Sequence, residues 1–292
     1  MKGAGKGQAF AFLFLTFFIW GSVYVAGKLI SDAVPAPLLA CLRCCSAMIP
    51  LLFMSRHYLG KVHIDREDWK YFVIVGMCGY FLTIFCIQTG ISLTGASMAA
   101  LLNALTPVSV TILAAVVLKE VITPVKVVCL ILALVGAAVI TLGAGTQGEI
   151  MGILIVMFSI ISWGLASVYM RRLTAKYPAV LVTTVGMAIS LIGHIPVGIL
   201  TASTQPVTIN PTVVAVVLYL GFFGSGVAQF TWVKCLSILP ASTCSLFYPL
   251  QPVFSAVLGA LILGETFTSS FFIGLVLISI DVALSTWETK KL

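Results

Sequence analysis

ASMAALLNALTPVSVTILAAVVLKEVIT, residues 96–123, and ASTCSLFYPLQPVFSAVLGALILGETFT, residues 241–268, align without a gap at a constant offset of 145. Ala96-Ser97, Pro107, Glu120 and Thr123 fall on Ala241-Ser242, Pro252, Glu265 and Thr268, and Gly76 and Gly79 fall on Gly221 and Gly224. Trp20-Gly21 followed by Lys28 is echoed by Trp163-Gly164 followed by Arg171. The chain therefore reads as two homologous halves, 8–143 and 150–287. Internal repetition on this scale in an apolar chain points to a transporter.

Composition excludes an ordinary soluble domain: 60% of residues are hydrophobic, 9% are charged and the mean hydropathy is +1.15. A helix needs about 20 apolar residues to cross the hydrocarbon of a bilayer. No charged residue occurs from Tyr71 to Leu118 or from Tyr177 to Val233. Each of these runs exceeds one crossing and is interrupted by turn residues, Thr94-Gly95 in the first and Thr204 to Pro211 in the second. Reading every run this way predicts an all-α integral membrane protein with ten spans: 8–30, 36–55, 70–91, 96–118, 124–143, 150–171, 179–201, 212–234, 241–263 and 269–287. Lys2 and Lys6 precede a run too long for a cleaved signal, so the first span is expected to remain.

The net charge of +7 follows the loops. With a cytoplasmic N-terminus, fourteen of the sixteen Lys and Arg face inward, Lys28 alone faces outward and Arg43 lies within a span. That asymmetry predicts that both termini face the cytoplasm, with basic residues that serve orientation and not nucleic-acid binding, and the expected location is the cell (inner or plasma) membrane. The eight cysteines fall in apolar spans or at their ends and read as small hydrophobes. The CxxC spacing at Cys41, Cys44 and Cys45 has no second ligand cluster, so neither a metal nor another cofactor is expected.

Five spans per half is an odd number, so the halves are expected to be inverted around a central cavity near the bilayer midplane. Pro107 and Pro252 interrupt the fourth and ninth spans, with Pro249 one turn before the latter. An interior proline frees a backbone carbonyl, which in lipid is tolerated only against protein or an aqueous cavity. Asn103, Tyr248 and Gln251 lie beside these breaks and are candidate solute contacts, as are Trp20, Tyr24, Tyr80 and Trp163 on repeat-matched spans. Gly76, Gly79, Gly221 and Gly224 would let helices approach closely. Three ionisable residues lie within spans. Arg43 either pairs with a substrate carboxylate or snorkels to the surface or bonds free carbonyls, His194 is a coupling proton carrier or a packed neutral ring, and Asp281 holds a cationic group or a coupling proton or is an interfacial carboxylate paired with Lys290 or Lys291. Glu120 and Glu265 read as loop groups near the start of the following helix, Thr123-Pro124 supplying its cap.

At Ser237 to Thr268 the sequence Leu-Pro-Ala-Ser, then a proline-bearing helix, then Gly-Glu resembles the second-repeat hallmark of the drug/metabolite transporter superfamily, in particular its EamA-type members. The Trp-Gly pairs are similar as well, and the resemblance spans almost the whole chain. It implies ten transmembrane helices in two inverted halves and a central cavity for small organic solutes, and it favours export. Lys119-Glu120 departs from the Gly-Glu of the second half, and Asp281 stands opposite Gly136. The function expected from residues and resemblance together is secondary transport of a small metabolite, an amino acid or similar zwitterion, by a monomer or homodimer in the lipid bilayer. Efflux of cationic drugs or quaternary amines is the alternative within transport. An intramembrane enzyme is disfavoured: no Ser/His/Asp set, HExxH or paired CxxC occurs.

Overall fold

The computed structural model describes residues 2–103, 105–124, 147–248 and 250–264, with single positions 127, 128, 131, 135, 273, 276 and 280 beyond them. Among these residues the chain is all-helical. In order the helices are α1 (Lys2–Leu29), α2 (Ala36–Ser55), α3 (Trp69–Thr94), α4 (Ala96–Asn103), α5 (Thr106–Leu118), α6 (Gln147–Leu173), α7 (Ala179–Thr204), α8 (Pro211–Leu236), α9 (Ala241–Ser245) and α10 (Leu250–Leu258), the last followed by a π-helical turn, Gly259–Leu263. Seven helical stretches among the described residues are long and apolar enough to cross a membrane, and α5 is a shorter apolar helix. The expected spans 124–143 and 269–287 lie outside the described residues apart from the single positions. Those, such as Val127, Ile131 and Val135, are helical and exposed.

Polarity is distributed for lipid. Phe53, Ile192, Ile199, Val116 and Leu261 are more than half exposed, whereas Thr16, Arg43, Asn103, His194, Ser225 and Gln251 are buried. Apolar surface on this scale would be unstable in water and is matched by hydrocarbon. The protein is a multi-pass membrane protein.

The repeat is visible in backbone detail. Val75–Leu82 of α3 and Leu220–Val227 of α8 are both π-helical, 145 residues apart. α5 and the turn after α10 both stop in the left-handed region, at Lys119 (φ 57°) and Gly264 (φ 65°), again 145 apart. Glycines allow the close crossings that both halves use. A β-carbon on Gly76 would stand 2.7 Å from Ile189 Cβ of α7, and one on Gly221 would stand 2.7 Å from Ser46 Cβ of α2. One on Gly79 would meet Ala166 of α6, and one on Gly224 would meet Val23 of α1, at 2.6 Å in each case.

One end of the bundle, here the basic end, gathers the α2–α3, α6–α7 and α8–α9 connections and the C-terminus of α5. Lys176 Nζ lies 2.9 Å from Asp68 Oδ2, and the Tyr177 hydroxyl donates to the same oxygen at 2.8 Å. The Lys176 ammonium and the Tyr177 hydroxyl hold the Asp68 carboxyl below its usual range, and Asp68 raises the pKa of Lys176 in return. Arg171 donates to the Leu236 carbonyl. At the opposite end Thr208 N donates to the Ala33 carbonyl at 2.9 Å, joining the α7–α8 connection to the α1–α2 connection.

Candidate solute cavity

The fourth and ninth expected spans are each two helices, α4 with α5 and α9 with α10, and the joints meet in the protein interior. Pro107 deprives the Asn103 carbonyl of its helical donor. The Thr106 hydroxyl takes that place, donating to Asn103 O at 2.6 Å and lying 3.1 Å from Asn103 Oδ1. Pro252 does the same to the Tyr248 carbonyl, which accepts instead from Gln251 N at 2.9 Å. Across the joints Asn103 Nδ2 donates to Gln251 Oε1 at 2.8 Å. The sequence reads these spans as interrupted by proline. The structure opens each into a turn, and the carbonyls that the two prolines free, Asn103 O and Tyr248 O, are satisfied by the Thr106 hydroxyl and by Gln251 N within the break itself. Pro249 lies outside the described residues.

Beside the joints is a cavity that, counted with its open mouth, encloses about 470 Å³ of space. Trp20, Tyr24, Arg43, Asn103, Trp163, Tyr248 and Gln251 line it, seven of the eight residues expected to meet solute. Tyr80 does not line it. Its ring is buried behind Trp163, at 6.3 Å between centroids, and packs onto Gly186 of α7. Val23, Thr83, Ile84, Ile87 and Gln229 complete the wall. Sequence reasoning missed these, although the repeat register carried a signal: Gln229 lies 145 residues after Ile84, on the matched helix.

The π-helical turns supply the polar anchors. In α8 the turn presents the Gly224 carbonyl to Trp20 Nε1 at 3.2 Å and the Ser225 hydroxyl to Arg43 Nε at 2.8 Å. Arg43 is 4% exposed, so it does not snorkel to the surface. A β-carbon on Gly224 would come within 3.3 Å of Arg43 Nη2, so glycine there leaves the guanidinium its room. Tyr24 neighbours both Arg43 and the Asn103 side chain. The ion pairs among the described residues are Lys176 with Asp65 and with Asp68, so Arg43 faces no carboxylate among them. The turn in α3 works elsewhere: its Tyr80 carbonyl lies 3.1 Å from His194 Nε2, whose ring packs edge-on against Phe81. His194 is buried off the cavity, and Asp281 lies outside the described residues.

Toward the basic end an aromatic layer underlies the cavity. Phe17, Trp20, Trp163, Trp232 and Tyr248 pack together, Phe17 lying 4.9 Å and Trp232 5.4 Å from the Tyr248 ring, and Trp163 Nε1 donates to the Tyr248 hydroxyl. Phe10 against Phe247 and the Thr16–Thr231 hydroxyl pair at 2.6 Å continue the closure. Glu120, at the end of α5, accepts hydrogen bonds from Ala241 N, Ser242 N and the Ser242 hydroxyl, capping α9. Glu120 is a loop group, as the sequence reads it, and its partner is a helix of the other half, which the sequence does not indicate.

The family model of the EamA-like transporter family matches residues 8–142 and 150–287. The chain belongs to the EamA-like transporter family. Among similar EamA-type proteins, the Bacillus subtilis protein named as uncharacterised transporter YetK is 26% identical, the match covering 88% of this chain and 80% of that one. An uncharacterised transporter of Archaeoglobus fulgidus is 28% identical over 88% of this chain and 90% of its own. A solved crystal structure matches with a TM-score of 0.75 at 20% identity over 98% of both chains, a likeness of fold. The protein is therefore an EamA-family membrane transporter.

Proposed function

We propose that the protein is a secondary transporter of a small organic solute bearing a carboxylate, an amino acid or similar zwitterion, worked by alternating access between two inverted halves. The observation that carries the substrate reading is Arg43: a buried guanidinium lining the cavity, held at Nε by Ser225 and facing no acidic group among the described residues. A buried charge without a partner is costly, and a bound carboxylate relieves that cost through a forked pair. Tyr24, Asn103 and Gln251 offer neutral hydrogen bonds nearby, and the tryptophans offer flat apolar walls. The same cation disfavours the reading of drug or quaternary-amine efflux. Export as the direction rests on the family likeness.

Inversion is supported by the connections. In two halves of like orientation the α1–α2 and α6–α7 connections would share an end, yet the α1–α2 connection bonds to the α7–α8 connection while the α6–α7 connection bonds to the α2–α3 loop. Alternating access is supported by the aromatic layer and the Glu120 cap, which are contacts between the halves that closure on one side requires. The test is counterflow of labelled amino acids in proteoliposomes. Arg43→Ala, Asn103→Ala and Tyr248→Ala are each expected to lower transport by more than about tenfold, the loss of one charge-assisted or buried hydrogen bond, without loss of folded protein. Unchanged transport in Arg43→Ala sinks the carboxylate reading.

A further inference from the structure

The two halves have diverged at the cavity in a way that gives it a polar side and an apolar side. α2 and α7 begin alike, at Pro35-Ala36 and Pro178-Ala179, a register that sets Arg43 against Gly186. The register of α3 and α8 sets Tyr80 against Ser225 and Ile84 against Gln229. At the α2–α8 crossing Arg43 bonds to Ser225 and points its guanidinium at the cavity. At the repeat-related α7–α3 crossing the Tyr80 ring fills the space above Gly186, where a β-carbon would meet it at 2.8 Å. The cation of one crossing is therefore replaced by packed carbon at the other. Further along the same two helices, Gln229 and Ile84 both line the cavity, one a carboxamide whose buried oxygen has no hydrogen-bond partner among the described residues, the other a branched alkyl chain with Ile87 beside it.

We propose that this asymmetry selects an amino acid with an uncharged apolar side chain and fixes its orientation. Its carboxylate lies at Arg43, its amino group takes the free acceptor capacity of Gln229, and its side chain rests on Ile84 and Ile87. The inference rests on the carboxylate reading above and narrows it. A charged side chain placed against the two isoleucines would lose its hydration with no described counter-charge to replace it, whereas an alkyl or aromatic one gains by leaving water. Ile84 and Gln229 are then specificity determinants, each the other's counterpart in the repeat.

Counterflow in proteoliposomes tests this with leucine, phenylalanine, glutamine, glutamate and lysine. The unaltered protein is expected to favour leucine and phenylalanine over glutamate and lysine by at least about tenfold, the scale on which apolar pockets discriminate. Ile84→Gln, which copies the residue of the other half, is expected to move the glutamine-to-leucine ratio toward glutamine by a similar factor. Ile87→Ala, which only removes carbon, is expected to raise phenylalanine relative to leucine. Equal transport of acidic, basic and apolar amino acids by the unaltered protein overturns this inference and leaves the carboxylate reading standing. Transport of no amino acid overturns both. An unchanged ratio in both variants, each giving a cooperative thermal transition, overturns the role of Ile84 and Ile87.

Discussion

A single residue type out of place shows how closely the halves still follow one backbone. Lys119 takes φ 57° where its counterpart Gly264 takes φ 65°, and both backbone N–H groups reach five residues back, to Ala114 and Gly259. A side chain in the left-handed region costs about 1 kcal/mol that glycine avoids. Lys119→Gly is therefore expected to raise the thermal unfolding midpoint in detergent, and a lowered midpoint would contradict the strain. At the same end, Asp68 carries a pH dependence. Its carboxyl is held below its usual range in the folded protein, so its contribution is complete above about pH 4 and is lost as the pH falls further. Lys176 is shifted upward, so its contribution is complete below about pH 10 and is lost as the pH rises. Stability from this pair should be level between those limits, and Asp68→Asn should flatten the acid limb of a plot of melting midpoint against pH. The sequence made Arg43 legible as an intramembrane charge, because such a residue is costly wherever it points. It could not choose between surface and cavity, since that depends on Ser225, 182 residues away.

Elements tell a similar story about local and distant signals. Both broken helices were legible, since a proline among apolar residues must free a carbonyl whatever surrounds it. Which groups satisfy the breaks was not legible: Thr106, three residues from Asn103, is one of several polar neighbours of the breaks, and Gln251 is 148 residues from Asn103. The π-helical turns left no mark that periodicity could detect, because they change the register of an evenly apolar helix by one residue. Glu120 illustrates the limit most clearly. Its place after α5 fits a turn glutamate, and nothing local says that it caps α9 in the other half. Three acceptor contacts at a helix start are worth about 1–2 kcal/mol, at the upper end for caps. Glu120→Ala should lower the melting midpoint, and Glu120→Gln, which keeps one acceptor oxygen, should lower it less. Equal midpoints for all three proteins would remove the cap as a contact between halves.

At the scale of the whole molecule, the basic residues Arg56, Lys61, Lys70, Arg171, Arg172, Lys176 and Lys234 belong to connections, or the helix ends beside them, that gather at one end, and the Ala33–Thr208 contact lies at the other. The sequence anticipated this because orientation in a membrane depends on where charge sits along the chain, a property of order and not of packing. The same logic fixes a test of the inverted arrangement. If the basic end is cytoplasmic, a reporter active only inside the cell should function when inserted at Gly60 or near Lys176, connections that stand at different places in the two repeats. A reporter active only outside should function at Thr208, while one inserted at Lys61, in the matched connection of the first half, should remain silent. Halves of like orientation require Lys61 and Thr208 to respond alike. Opposite responses at these repeat-equivalent loops would follow from inversion, because an odd number of crossings separates them and each crossing exchanges the side on which the next loop emerges.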